Sequence, residues 1–318
     1  MSYWTNYPKI NLGERMSRTL YEMVKQIADE EGLKFNTYIK DWVIELEKND
    51  KVMHIYGFRF SNNSSSVDRI LSDKSACYEV LNGSNFPAIE HILISKKEED
   101  FTNRESNSYK LMVSKLEEYG TIVLKNNSDS SGGKSVYKVT NREELEETID
   151  KLADKRMISL SPFYNIECEY RFIVLDGETM VCYAKERPSV TGDGVKTVAE
   201  LIVDKYVEFN NHEKIDLEYV PAKDEKYLLS WKHNLIKGSR PVEIKDESIK
   251  ARLTETARQI SKRLNLGFVS IDFAQIGDDF KVIEINSGVL MEKFSEESQE
   301  NYNTAKEVYR KAILRNFE

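Results

Sequence analysis

The segment that most constrains this chain is FVSIDFAQIGDDFKVIEINSGVLMEKF, residues 268–294. Two apolar runs flank Gly277-Asp278-Asp279, so the segment predicts a β-hairpin. A three-residue loop makes Ile276 face Phe280 and sets Asp272 directly opposite Glu284, with Asn286 two residues on and on the same face. Two carboxylates about 4–5 Å apart repel by roughly 3–4 kcal/mol at an effective dielectric near 20. Protonation of one, or a bound cation, relieves that repulsion. Oxygen donors of the Asp, Glu and Asn kind suit Mg²⁺, which keeps several waters and completes its shell with phosphate oxygens. A solvated sheet face with ordinary acidic residues gives the same spacing; the apolar flanks favour the cation.

A second feature is TIVLKNNSDSSGGKSVYKV, residues 121–139, two strand-like runs around a polar glycine loop. GGKS invites a P-loop assignment, but Ser128 stands where the first glycine belongs, and the loop leads into a strand instead of a helix. The remaining readings are a merely mobile hairpin tip, or a flap whose Ser130, Ser131, Gly132 and Gly133 fold over phosphates beside Lys125. TGDGVKT, residues 191–197, fails as a dinucleotide fingerprint, because Thr197 occupies the third glycine position and no βαβ unit surrounds it.

The 318 residues suffice for two or three packed units. A 40% hydrophobic and 31% charged composition is that of a soluble globular chain, and a net charge of −8 argues against general nucleic-acid binding. No apolar run is long enough for a membrane span, and the N-terminus does not read as a signal peptide. Cys77, Cys168 and Cys182 are widely spaced with no CxxC, which fits a reducing cytoplasm and no zinc site. Apolar periodicity predicts helices over 17–31, 73–85, 141–155, 248–266 (stopped at Gly267) and 295–317. Strands are expected at 51–60, after Pro87, and as a pair across Asp176-Gly177. Antiparallel hairpins with packed helices make the class α+β, or mixed α/β.

Taken in order over roughly residues 70–295, these segments resemble the ATP-grasp superfamily, in its carboxylate–amine ligase type, similar to glutathione synthetase and cyanophycin synthetase. DKSACYEVLNGSNFP is similar to the helix-plus-Pro segment whose lysine, here Lys74, helps bind ATP, and VLKNNSDSSGGKSV to the Lys125 strand and glycine flap. ECEYRFIVLDGETMVCYAKERPSVTGDGVKTVAELI resembles the family's EYR…REP…GDG…TI stretch, and WKHNLIKGSRP its phosphate-facing Asn–Gly segment, which implies catalytic roles for Asn234 and Gly238. D…EIN is similar to the family's metal-binding stretch, which implies Asp272, Glu284 and Asn286 as metal ligands.

The resemblance implies ATP clamped between two α+β subdomains, with Mg²⁺, or Mn²⁺ in its place, bridging the phosphates. The expected division is an N-terminal substrate-side domain over 1–72, a small subdomain with the flap over 73–165, and a catalytic subdomain over 166–318. A substrate carboxylate takes the γ-phosphoryl group, and an amine then displaces phosphate from the acylphosphate to form an amide. Amino acids or peptides are the implied substrates, and relatives are often homodimers; no nucleic acid or membrane partner is implied. Arg171 and Arg187 are the candidates for gripping the transferring group at two points, against a salt-bridge role for either. The adenine hinge departs from the family: SLSPFYNIECEYR lacks the usual acidic segment, which leaves Ser161, Phe163 and Glu167 as candidate nucleotide contacts. The alternatives are a phosphotransferase of the same fold and a silent nucleotide-binding scaffold.

Overall fold

A computed structural model describes residues 18–128, 135–205 and 215–318. Helix α1 (Thr19–Glu31) puts Leu20, Met23, Val24, Ile27 and Ala28 on one buried face, as its periodicity requires. Strands β1 (Lys34–Tyr38), β2 (Val43–Lys48), β3 (Lys51–Tyr56) and β4 (Arg59–Phe60) follow as an antiparallel sheet. The expected single strand over 51–60 is broken at Gly57, whose φ is +62° and where a Cβ would lie 2.8 Å from the Trp42 ring.

Helices α2 (Ser65–Ser72) and α3 (Lys74–Gly83) come next, capped by Ser64 and Asp73. A second sheet runs β5-β8-β6-β7 and comprises β5 (Ile92–Ser95), β6 (Ile122–Asn126), β7 (Val136–Val139) and β8 (Met157–Pro162). Helices α4 (Asn107–Tyr119) and α5 (Arg142–Lys151) bury Met112, Leu116, Leu145 and Ile149 in one core with that sheet.

The third layer is built on β9 (Cys168–Leu175) and β10 (Glu178–Glu186), turning at Asp176-Gly177. A small pair, β11 (Ser189–Thr191) and β12 (Lys226–Leu228), brackets α6 (Val198–Lys205). Strand β13 (Arg240–Val242), helix α7 (Glu247–Leu264), and strands β14 (Phe268–Ile276) and β15 (Asp279–Asn286) complete an antiparallel sheet in the order β13-β10-β9-β14-β15. Short helix α8 (Glu292–Ser295) and α9 (Gln299–Leu314) close the chain.

Two further elements depart from expectation for identifiable reasons. Helix α7 stops at Asn265, whose φ of +52° makes it the left-handed cap. Gly267 serves a different need: a Cβ there would lie 2.1 Å from the Asn62 carbonyl oxygen. The β14–β15 turn is also one residue shorter than expected, because Asp279 already pairs with Ile276. A bulge that skips Ile283 restores the register, so that Asp272 still faces Glu284.

Two cores sandwich the five-stranded sheet. On one side Ile173, Leu175 and Phe268 join the N-terminal sheet, α1 and α9; on the other Phe172, Val269 and Ile271 join α2, α3 and α7. Phe60, Phe268 and Tyr309 tie the first core together, with ring centroids at 5.1 Å and 5.5 Å from Phe60. Among the described residues no helix is long and apolar enough to cross a membrane. The three cysteines are unpaired.

Phe268→Ala is expected to cost about 3–5 kcal/mol. Because Phe268 belongs to the core shared by the N-terminal sheet and the central sheet, urea unfolding should remain a single transition with a lower midpoint. A separate early transition confined to the N-terminal sheet would contradict this shared core.

Candidate active site

The site begins as a row of side chains across the central sheet. Arg171 on β9 is the cross-strand partner of Asp272 on β14 and of Tyr183 on β10, and Asp272 in turn faces Glu284 on β15. Asp272 is only 2% exposed. Its Oδ1 accepts from Arg171 Nε at 2.7 Å; its Oδ2 accepts from Arg171 Nη2 at 2.7 Å and from Lys185 Nζ at 2.8 Å. Lys185, buried at the end of β10, also donates to Glu169 Oε2 at 3.2 Å, and His233 Nδ1 stands 3.6 Å from Glu169 Oε1. Glu284 accepts from Asn286 Nδ2 at 3.0 Å.

This network sets the protonation states. Burial pushes the Asp272 carboxyl up, but Arg171 and Lys185 outweigh it and hold it below the ordinary carboxylate range. Burial raises Glu169 despite Lys185. His233 is lowered to about 4 by burial and by the charges of Arg187 and Lys185, so its ring is neutral near pH 7. The negative charge of Asp272 is thus already met by two of the chain's own cations. Among the described residues no three His, Cys, Asp or Glu side chains converge as a metal cage. Asp272, Glu284 and Asn286 instead present two carboxylates and an amide on one face of the hairpin. That oxygen set fits a hard divalent ion whose remaining positions are water and phosphate.

The second sheet and helix α3 bring one lysine each towards this face. Lys125 on β6 pairs with Ser159 and Val136 and feels the charges of Glu284 and Glu169. Lys74 opens α3, and its backbone N–H donates to the Asn127 carbonyl at 3.1 Å. Burial first, and Lys74 second, lower the Lys125 ammonium from 10.5 to about 8. His91, buried in the segment before β5, is pushed well below its ordinary value by burial and then by Lys125 and Lys74.

The other candidates divide. Asn234 caps a single 3-10 turn, its Oδ1 accepting from Ile236 N at 2.9 Å, and Gly238 ends that turn at φ +92°. Arg187 reaches His233 electrostatically. Ser161 is buried on β8, and the Phe163 ring stands 5.5 Å from Trp231 with Lys138 Nζ 4.0 Å over it. Glu167 has its backbone beside His233, but its carboxylate is engaged elsewhere, since its Oε1 accepts from the Gly277 N–H at 3.1 Å. Ser130, Ser131, Gly132 and Gly133 lie outside the described residues. Gly192 in the GDG run answers a packing need, because a Cβ would lie 2.1 Å from the Ala222 carbonyl oxygen. Asp193 there caps a turn through the N–H groups of Val195 and Lys196. Sequence reasoning missed Lys185, Glu169, His233 and His91. The first two were findable, since Glu169 shares Arg171's strand parity and Lys185 faces Glu169 across the hairpin.

The helices and antiparallel sheets, in this order, match the ATP-grasp fold of solved ligase structures. Among similar solved structures, a bifunctional glutathione synthetase from Pasteurella multocida matches with a TM-score of 0.56 at 18% identity, over 92% of this chain and 44% of that one. A D-alanine–D-alanine ligase from Bacillus anthracis matches with a TM-score of 0.51 at 14% identity, over 78% of this chain and 69% of that one. The chain therefore spans less than half the length of the glutathione synthetase. No family model and no curated protein matches the sequence.

Asp272→Asn is expected to destabilise the chain by about 3–5 kcal/mol, because it leaves Arg171 and Lys185 buried with less negative charge to meet them. The Asp272 contribution is present above the ordinary carboxylate pKa and is lost as pH falls through the lowered folded value. Wild type should therefore lose its advantage over Asp272→Asn in acid, which paired denaturant curves at neutral and acidic pH would show.

Lys125 carries the opposite sign. Its folded pKa of about 8 lies below the ordinary 10.5, so the charged side chain opposes folding below pH 8 and that opposition is relieved as pH rises towards 10.5. Lys125→Met should stabilise the chain near neutral pH by on the order of 1–2 kcal/mol, with the gain vanishing in alkali. Identical stability curves for the two proteins would contradict the burial of this ammonium.

Proposed function

We propose that the chain is an ATP-dependent carboxylate–amine ligase acting on an amino acid or peptide. The observation that carries this is the meeting, on an ATP-grasp fold, of an oxygen-donor face at Asp272, Glu284 and Asn286 with Lys125 from the opposing sheet. Phosphoryl transfer demands charge neutralisation and alignment more than a nucleophilic side chain. Lys74 and Lys125 would neutralise the phosphates of ATP, with Ser130, Ser131, Gly132 and Gly133 covering them. The adenine would lie near Ser161 and Phe163, with Glu167 a weaker candidate because its carboxylate already holds the Gly277 amide.

Mg²⁺ or Mn²⁺, held by Glu284, Asn286 and Asp272, would supply charge compensation at the β- and γ-phosphates. A substrate carboxylate oxygen attacks the γ-phosphorus and ADP departs. The amine nitrogen then attacks the acyl carbon, phosphate leaves, and the nitrogen sheds a proton. Arg171 fixes Asp272 through Nε and Nη2, while Arg187 is the side chain proposed to grip the transferring group. Asn234 and Gly238 shape the turn that backs His233 against Glu169. The net charge of −8 and the three unpaired cysteines favour a cytoplasmic enzyme without a nucleic-acid partner.

A screen of amino-acid and peptide pairs for ADP and phosphate release tests this reading. A ligase should release both only when an acid and an amine are present together. Glu284→Gln should lower that turnover by at least about 100-fold, the scale of a lost electrostatic contact in the transition state. ADP formed from a single substrate, without free phosphate, would point to a phosphotransferase; nucleotide binding with no turnover on any pair would point to a scaffold.

A further inference from the structure

Lys185 touches both Asp272 and Glu169. Its ammonium lies 2.8 Å from Asp272 Oδ2 and 3.2 Å from Glu169 Oε2, and the residue is 4% exposed. Arg171 grips both oxygens of Asp272 through a planar fork, whereas Lys185 makes one contact there from a flexible four-carbon stem. Arg171 and Lys185 together set two positive charges against the one negative charge of Asp272, so that carboxylate offers a free divalent ion no excess attraction. Oδ2 of Asp272 already accepts two donors, and an ion bound to it would stand within a few ångströms of the ammonium.

We infer that Lys185 is a resident counter-ion at Asp272, which a divalent ion displaces towards Glu169 when nucleotide binds. The inference rests on the ligase reading above, in which Asp272, Glu284 and Asn286 receive that ion. Glu169 is placed to receive the ammonium, because it faces Lys185 across the β9–β10 register and already accepts from it. The negative charge brought by the triphosphate makes the exchange favourable, so ion and nucleotide bind together and the ion alone binds weakly. Lys185 is then a positioning residue that couples the two ligands.

The test is Mn²⁺ binding without nucleotide, followed by electron paramagnetic resonance on the full chain, for wild type, Lys185→Met, and Lys185→Met combined with Glu284→Gln. Methionine keeps the bulk of the stem and removes the charge. Lys185→Met should bind free Mn²⁺ at least tenfold more tightly than wild type, and the double variant should lose that gain. Unchanged or weaker Mn²⁺ binding in a folded Lys185→Met chain, with wild type still binding Mg²⁺–ATP, would overturn the inference while leaving the ligase reading standing. Failure of wild type to bind Mg²⁺–ATP would overturn both. Should Lys185→Met not fold, Lys185→Arg serves: a second fork on Asp272 should weaken Mn²⁺ uptake with nucleotide several-fold, and wild-type uptake would refute the exchange.

Discussion

A carboxylate buried to the extent of Asp272 is tolerable only if opposite charge comes with it, and much of the central sheet follows from that requirement. An isolated ion in such a place would cost several kcal/mol even after relaxation, and pairing offsets this only when the geometry is good and the remaining lone pairs are used. Arg171 supplies the geometry with two parallel contacts at 2.7 Å, and Lys185 uses a further lone pair at 2.8 Å. Those contacts exist because β9 lies between β10 and β14, which aligns Arg171 with Asp272 and Lys185 with Glu169. The network fixes the floor of the site before any ligand arrives. Such preorganisation is what the proposed phosphoryl transfer would need from the protein.

Besides sharing a core with the central sheet, the N-terminal sheet meets the same floor at a short segment after β15. Directly after Asn286, Ser287 donates to Asp68, Gly288 bridges to Arg59, and Val289 N donates to the Phe58 carbonyl at 3.0 Å. Arg59 Nε lies 3.2 Å from Asp68 Oδ1, and its Nη2 donates to Ser72 at 3.3 Å. Residues 287–289 are therefore held from two sides, by α2 and by the N-terminal sheet. That anchoring limits the freedom of the strand end that carries Glu284 and Asn286. It also makes the N-terminal sheet part of the wall beside the acidic face.

How much of this was legible in the sequence depended on whether the signal was local. Helix α1 followed from its apolar period, and the β9–β10 hairpin from Asp176-Gly177 between two β-rich runs. The Asp272–Glu284 pairing was reached through a loop one residue too long; a bulge at Ile283, which no local propensity announces, produced the same pairing. Strands β1 and β2 escaped because KFNTY and VIELEK bury few residues and gain their shape from the β1–β2–β3 pairing and from α1. Lys185 escaped because AKER reads as the charged end of a strand; its burial depends on Glu169 and Asp272 from two other strands. Glu167 looked available in sequence, yet a backbone N–H of the distant Gly277 turn occupies it. Apolar periodicity reports which face is buried, and it is silent about which charges meet there.

The measurement that bears most directly on this account is a crystal structure of the chain with Mg²⁺ and a non-hydrolysable ATP analogue. The triphosphate should lie between Lys125 and the β14–β15 face, with the metal touching Glu284 and Asn286 and the Arg171 fork still on Asp272. A nucleotide bound elsewhere, or a metal that leaves Glu284 and Asn286 untouched, would contradict it.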